Sequence, residues 1–353
     1  MIPDYHNIHN CFKLNGYHPN RDTLFQLAYS FIKEGEAFEK EIGIFLLDWL
    51  DEKDFIETET SGTTGKPKLI QIKKQAMVNS AIATGNFFKL NPTDKALHCL
   101  PARFIAGKMM LVRAIILGLE LDLVHPNGTF FHKLHQYYDF VAMVPIQVEN
   151  NLKCLVKIKK LIIGGAKPSH QLIKELKKQK NTKVYETYGM TETITHIAAK
   201  EINKSNFKIF EGVKIDSDER NCLVIQAKRI SEEKIITNDV VEIVSKNQFK
   251  WLGRIDNVIN SGGIKLFPEQ IEEKLQSKID LPFFINYESD EKLGNKVVLV
   301  IQNEKEIVLP KDTFEVLEKY ERPKAIYFVP TFFKTQTDKI NRKRTVDLIK
   351  KGT

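Results

Sequence analysis

LIIGGAKPSHQLIKELKKQKNTKVYE, Leu161–Glu186, carries the pattern that decides the fold. Leu161–Ile163 reads as a short buried strand that stops at Gly164-Gly165. His170–Lys180 then reads as a helix and Lys183–Glu186 as the next strand. Strand–helix–strand alternation argues for an α/β sheet. The same alternation runs from Phe55 to about Val244, with further buried strands expected at Ala96–Leu100 and Phe140–Pro145. Upstream, Arg21–Glu34 places Leu24, Leu27, Ala28 and Phe31 at helical spacing, and Phe38–Leu50 repeats the pattern. Downstream, Leu223–Gln226, Val240–Val244 and Phe249–Leu252 are closely spaced strands forming a β-rich tail to that domain. From Pro268 a new pattern begins: helix Glu269–Ser277, strands Phe283–Tyr287 and Lys296–Gln302, helix Thr313–Tyr320, strand Ala325–Val329 and a terminal helix. It predicts a small α+β domain over 255–353 after a large domain over 1–254.

Composition narrows the function classes. With 353 residues, 42% apolar and 28% charged, the chain suits a soluble globular protein. The net charge of +8 comes from lysines spread along the chain, and no basic stripe interleaved with aromatics points to nucleic acid. The most apolar stretch, Ile105–Val124, carries Lys108, Arg113, Glu120 and Asp122, which argues against a membrane span. Cys11, Cys99, Cys154 and Cys222 lack metal-binding spacing and read as reduced thiols of a cytoplasmic protein. The first ten residues, MIPDYHNIHN, lack the basic and apolar regions of a signal peptide. A homodimer is only the default expectation.

Three segments carry chemistry. TSGTTGKPK spans Thr60, Ser61, Gly62, Thr63, Thr64, Gly65, Lys66, Pro67 and Lys68. Its hydroxyls, glycines and lysines suit a loop whose amides and cations meet phosphate oxygens. Only two residues separate the glycines and Pro67 follows Lys66, so this is not a Walker A loop. YETYGMTET, Tyr185–Thr193, ends a strand in Tyr188-Gly189 before Thr191 and Glu192. Tyr188 suits stacking on a base, Thr191 a phosphate contact, and Glu192 a Mg²⁺ ion; a capping box is the plain alternative. IIGGAKP, with Gly164, Gly165 and Ala166, exposes backbone groups at a strand's carboxyl end, where open α/β sheets bind ligands.

Together these motifs resemble the adenylate-forming superfamily of acyl-CoA synthetases, adenylation domains and luciferases, and the resemblance covers nearly the whole chain. Thr237-Asn238-Asp239 looks like the family's TGD, which implies that Asp239 holds the ribose hydroxyls. Gly253-Arg254-Ile255-Asp256 looks like its GRxD, implying Arg254 at the ribose and Asp256 at the hinge. Ser261-Gly262-Gly263 through Pro268 and Glu272 resembles the segment that opens the small domain. Thr337-Asp338-Lys339-Ile340 resembles the terminal TGKI and implies Lys339 as the catalytic lysine. The implied fold is α/β: a large N-terminal AMP-binding domain with mixed sheets and helices, and a small α+β C-terminal domain on a hinge. The implied reaction joins an acid to ATP, with Mg²⁺, and then to coenzyme A. Asn238 and Asp338 stand where the family has glycine, and both tolerate the left-handed region.

For the acid, LPARFIAGKMMLVRAIILG, Leu100–Gly118, and a short segment before Thr60 look most like the o-succinylbenzoate–CoA ligases of menaquinone synthesis. Phe104 stands where the family's acyl-pocket pattern has His. That acid has two carboxylates, and Lys108 with Arg103 is expected to meet the one that does not react. The alternative for Lys108 is a surface path or a local acid. His196 lines the same pocket in the sharper reading and is a satisfied core histidine in the plainer one. The alternatives for the activity are another acyl- or aryl-CoA synthetase, or an adenylation enzyme that loads a separate carrier protein.

Overall fold

The strand–helix–strand repeats of this chain pair their strands in parallel, because a helical crossover returns the chain to the same end of the sheet. The computed structural model describes residues 2–59, 69–127, 136–334 and 340–349. Two units emerge: Met1–Ile215 with Ile225–Ile235 and Val244–Phe249, and Asp216–Val224 with Ile236–Ile243 and Lys250–Thr353.

In the first unit, β1 (Lys13–Leu14) precedes helices α1 (Arg21–Glu34) and α2 (Ala37–Leu50). Asn20 caps α1 by accepting from the Thr23 amide, with the Thr23 hydroxyl reaching back to complete the box. β2 (Phe55–Glu59) and β3 (Leu69–Lys73) form an antiparallel hairpin whose last pair is Glu59↔Leu69. The expected phosphate loop Thr60–Lys68 connects these strands and lies outside the described residues. Then come α3 (Lys74–Phe88), β4 (Lys95–His98), α4 (Ile105–Leu117), β5 (Glu120–Leu123), β6 (Tyr138–Met143), α5 (Pro145–Asn150), β7 (Ile158–Ile163), α6 (His170–Lys177), β8 (Lys183–Gly189), β9 (His196–Glu201) and β10 (Phe207–Ile209).

These strands lie in the order β1-β5-β4-β6-β7-β8-β9-β10 within the large sheet. It is parallel from β1 to β8 and antiparallel from β8 to β10. Helices cover the parallel part, so Leu161, Ile162 and Ile163 at the end of β7 are all buried. Their neighbours in the core include Leu97, Val141, Met143, Leu172 and Val184. The chain leaves β4 for β5 on one side and later lays β6 on the other. That reversal is a topological switch point, and open α/β sheets bind ligands beyond the carboxyl ends of the strands that flank one.

β11 (Lys214–Ser217), β12 (Cys222–Gln226), β13 (Ile235–Ser245) and β14 (Gln248–Arg254) lie side by side in the order β14-β13-β12-β11, with most of their residues in the second unit. β15 (Ile259–Ser261) and β16 (Ile264–Leu266) make a two-residue hairpin around Gly262 and Gly263, with φ of 57° and 81°. Both central residues are left-handed, the geometry whose twist matches the strands, and this is what the Ser261-Gly262-Gly263 motif encodes. α7 (Pro268–Leu275) follows, then the sheet β17 (Phe283–Asp290), β18 (Gly294–Gln302) and β19 (Ala325–Val329), and finally α8 (Arg342–Ile349). A separate core of Ile271, Leu275, Ile285, Leu299, Ile301 and Leu317 fills this unit.

One expected element is absent. Thr313–Tyr320 forms consecutive turns, with Thr313, Glu315 and Leu317 amides donating to the carbonyls three residues earlier, at Pro310, Asp312 and Phe314. Thr, Phe, Val and Tyr are weak helix formers. The segment is also held from outside, by Lys278–Asp312 at 2.6 Å and Lys274–Glu321 at 2.7 Å. Tertiary ties override the local pattern here.

Gly107 begins the buried face of α4 against the Pro101 carbonyl, and a Cβ there would overlap that oxygen. Gly107→Ala should cost about 1–3 kcal/mol of stability, read as a lower urea midpoint at unchanged slope. The Gly107 carbonyl also accepts from His98 Nε2 at 3.2 Å. His98 is 1% exposed, and burial brings its pKa from 6.5 down to about 4. The unfolded chain therefore binds a proton at a pH where the folded one does not, so stability falls as pH drops from about 6.5 toward 4. Denaturation of wild type and His98→Gln across that window should show the slope reduced in the variant.

Candidate functional site

The carboxyl edge of the parallel sheet gathers the motif residues of the first unit. The Gly164 amide donates to the Met143 carbonyl at 3.3 Å, and Gly165 turns with φ of 84°. The Thr187 hydroxyl donates to the Ile163 carbonyl at 3.0 Å, tying the end of β7 to β8. Gly164, Gly165 and Ala166 are thus held in a short turn whose backbone is accessible to a ligand. Tyr188 is half-buried, its ring 5.1 Å from Phe249 in edge-on contact and 5.8 Å from Phe207. Gly189 closes the strand where a Cβ would strike the backbone of Thr195 and His196.

After Gly189 the chain makes a single 3-10 turn, Thr191–Thr193. The Thr193 hydroxyl accepts from the Met190 amide at 2.9 Å and lies 2.7 Å from the Thr195 carbonyl. Ile194 follows with φ of 66°, a conformation that costs a β-branched residue dearly. The turn leaves Glu192 exposed and swings Thr195 and His196 inward. Among the described residues no group of three or more His, Cys, Asp or Glu gathers to hold a metal. A lone exposed carboxylate suits Mg²⁺ shared with phosphates, which keeps most of its ligands outside the protein.

His196 is buried beside Phe88 and Phe210, whose ring centroids lie 6.2 and 5.3 Å away. Its Nε2 is 3.0 Å from Thr84 Oγ1 and 3.4 Å from an Arg113 Nη. A guanidinium has only donors, so Nε2 meets it as an acceptor. Burial, and then the Arg113 charge, hold the His196 pKa well below 6.5.

Arg113 was noticed in the sequence only as a charge unsuited to a membrane span, and it is the residue that reading missed. It is 1% exposed, on the buried side of α4. One Nη reaches Thr195 Oγ1 at 3.3 Å and His196, and Nε has no partner. No carboxylate pairs with it among the described residues, and burial alone pulls its pKa from 12.5 to about 9. A buried cation without an anion is costly. The available signal was an arginine inside a run of Met, Leu, Val and Ile.

The residues expected to meet the second carboxylate are arranged differently. Arg103 is exposed, 3.4 Å from Glu41 and 4.9 Å above the Phe104 ring, and Phe104 is itself exposed. Lys108 is 8% exposed, with Nζ 5.5 Å from the centroid of Phe45. Burial lowers its pKa, and the charges of Asp48 and Glu41 on α2 oppose that shift. The charges of Asp48 and Glu41 thus act on Lys108 from α2.

In the second unit, Asp239 is buried and accepts from the Trp251 indole at 3.1 Å, while its amide donates to Thr237 Oγ1 at 3.1 Å. Arg254 lies 3.8 Å from Asp239 and 3.0 Å from Asp256. The Asn238 amide approaches both Asp256 oxygens at 3.4 and 3.5 Å. Asp239, Arg254 and Asp256 thus form one cluster. Asn238 sits in extended β13 and is not among the residues with positive φ. Its tolerance of the left-handed region is therefore not what lets it replace glycine. Asp338 and Lys339 lie outside the described residues.

Residues 60–209 match the model of the AMP-binding enzyme family. The acyl-CoA synthetase (AMP-forming)/AMP-acid ligase II-like protein of Dyadobacter fermentans is 35% identical, over 92% of this chain and 98% of that one, with a TM-score of 0.62. The 2-succinylbenzoate–CoA ligase of Haemophilus influenzae is 26% identical over 93% of this chain and 78% of its own length. The o-succinylbenzoate coenzyme A synthetase of Bacillus subtilis, solved with ATP and magnesium ion, is 20% identical and shares the fold with a TM-score of 0.73, over 94% of this chain and 83% of that one. The chain belongs to the AMP-forming acyl-CoA synthetases of the AMP-binding enzyme family.

Proposed function

We propose that this protein is a 2-succinylbenzoate–CoA ligase, and the buried, acid-free guanidinium of Arg113 is the observation that carries the choice of acid. The substrate has two carboxylates. The succinyl carboxylate attacks the α-phosphorus of ATP, pyrophosphate leaves, and the CoA thiol then displaces AMP from the acyl carbon. The benzoate carboxylate takes no part in either step and needs a cation and donors of its own. Arg113 supplies the cation and its N–H donors where solvent cannot, with the Thr195 hydroxyl beside it. A fatty acid would leave that cation unmatched. Relatives named 2-succinylbenzoate–CoA ligase support the same acid.

The remaining roles follow the chemistry. Thr60–Lys68 grips the β- and γ-phosphates as pyrophosphate forms. Thr191 donates to a phosphate oxygen, and Glu192 holds Mg²⁺, which neutralises phosphate charge when bound. Tyr188 and Gly164–Ala166 receive the base, and Asp239, oriented by Trp251, takes the ribose hydroxyls with Arg254 alongside. Lys339 bridges the attacking carboxylate and the α-phosphate, so the domain 255–353 turns about Asp256 between the two steps. Four free cysteines are consistent with a cytoplasmic enzyme, and no helix of the described residues is long and apolar enough to cross a membrane.

Pyrophosphate release over a panel of acids, with and without CoA, tests the activity; a preference for a monocarboxylate would reject the acid proposed here. Arg113→Met should raise KM for 2-succinylbenzoate roughly 10- to 100-fold, as for one lost charged hydrogen-bonding partner. KM for ATP should hold, and the denaturation midpoint should stay level or rise because an uncompensated charge is removed. Lys108→Met, whose cation already has acids nearby, should move KM for the acid far less. Lys339→Ala should lose roughly 10²–10³-fold in adenylation with a smaller loss in thioester formation; equal losses in both would count against its assignment.

A further inference from the structure

The two strands that flank the switch point are joined by side chains beyond their ladder. β4 and β6 share a short ladder whose last pair is Leu97↔Val141, whereas β6 and β7 stay paired as far as Met143↔Ile163. After His98 the chain leaves for α4, and after Met143 it leaves for α5. Two hydrogen bonds take over there. The Cys99 thiol donates to the Ala142 carbonyl at 3.3 Å, and Gln147 Nε2 donates to the Cys99 carbonyl at 2.7 Å. Gln147, in the first turn of α5, is 4% exposed, and its Oε1 accepts from the Val144 amide at 3.2 Å. One partner can only donate and the other can only accept, so the carboxamide fits one way round.

A methionine would fill much the same volume without taking an amide out of water, so packing alone does not call for Gln147. What the carboxamide joins does. On one side stands Cys99, followed by Leu100-Pro101. The Phe104 amide donates to the Pro101 carbonyl at 3.2 Å, and Gly107 lies so close to that carbonyl that a Cβ would overlap it. The place of Pro101 therefore sets the first turn of α4, the helix that carries Arg113. On the other side stands Val144. The carbonyl of its neighbour Met143 accepts from the Gly164 amide at 3.3 Å, and a Cβ at Gly165 would come within 3.3 Å of the Val144 side chain. One side chain thus spans from the segment that opens α4 to the strand end on which the Gly164–Ala166 turn rests. All of these residues belong to the first unit.

We propose that Gln147 is a positioning residue for adenylation: it holds the start of α4 at a fixed distance from the Gly164–Ala166 turn and so sets the acid against the nucleotide. This rests on the reading above, in which α4 serves the acid and the glycine turn serves the base. Being buried, Gln147 acts through the backbone it ties. Without its Nε2 donor the Cys99–Pro101 segment is released, so the geometry of attack suffers while the contacts to ATP stay in place.

The test measures pyrophosphate release by the full chain with ATP, Mg²⁺ and whichever acid of the panel wild type turns over fastest. Gln147→Glu keeps the volume and the acceptor for Val144, but its carboxylate sets an oxygen against the Cys99 carbonyl. At pH 8 it should lower kcat about 10- to 100-fold, with KM for ATP within about 3-fold of wild type. A protonated carboxyl regains a donor, and burial against a carbonyl raises its pKa, so the deficit relative to wild type should shrink about 5-fold or more by pH 6. Among the described residues no ionisable side chain bonds to the Gln147 carboxamide, and the Cys99 thiol stays protonated because burial pushes its pKa up. Gln147→Met removes both bonds and should show the same loss at pH 8 with no recovery at pH 6. Should Gln147→Glu not fold, the split between kcat and KM in Gln147→Met carries the test. A kcat within about 2-fold of wild type at pH 8, a KM for ATP rising in step with the fall in kcat, or an equal deficit for Gln147→Glu at both pH values overturns the proposal. Failure of the reading beneath it shows elsewhere. Wild type preferring a monocarboxylate, or Arg113→Met with an unchanged KM for the acid, rejects the assignment of the acid whatever Gln147 does.

Discussion

A parallel sheet covered by helices has no solvent-facing surface on which to carry polar chemistry. β4, β6, β7 and β8 each pair with a strand on either side, and most side chains of β4, β6 and β7 are buried. Chemistry is therefore confined to the carboxyl edge, where strands end and helices begin. Gly164–Ala166, Tyr188–Glu192 and the segment after His98 all lie on that edge. Their mutual placement follows from strand order and from the pairing of Ile163 with Glu186.

Against that constraint, Arg113 and Lys108 make an instructive pair, since they lie on one helix and are both buried. Lys108 lies toward α2, where Asp48 and Glu41 temper its charge. Arg113 meets the Thr195 hydroxyl and the His196 imidazole, neither of which carries a negative charge. The difference is one of surroundings, and a helix five residues along has turned far enough to change them completely.

This explains how far the sequence could be read. Elements with strong periodicity and local punctuation were legible: Arg21–Glu34 is helical over the expected bounds, and the Gly-Gly after β7 stops the strand where expected. The hairpin at Gly262-Gly263 was visible as a motif because its backbone admits little else. The turns at Thr313–Tyr320 were not visible, since the lysines that hold them come from α7 and the residues just after it. The partners of Lys108 and Arg113 were hidden for the same reason. Glu41 and Asp48 precede the helix by some sixty residues, and Thr195 and His196 follow Arg113 by more than eighty. Only folding decides which cation receives the acids.

Ile194 carries a consequence of its own. A branched side chain held at positive φ stores of order 1–3 kcal/mol in the turn between Glu192 and His196. The surrounding bonds from Thr193 keep it there. Glycine would relax that turn, but it would also let the peptide wander among conformations that isoleucine forbids. The chain thus trades stability for a narrow choice of backbone states at the place where an exposed acid and a buried imidazole must face opposite ways. In mechanical terms the turn is a preloaded spring whose stiffness, more than its shape, would suffer first from relaxation.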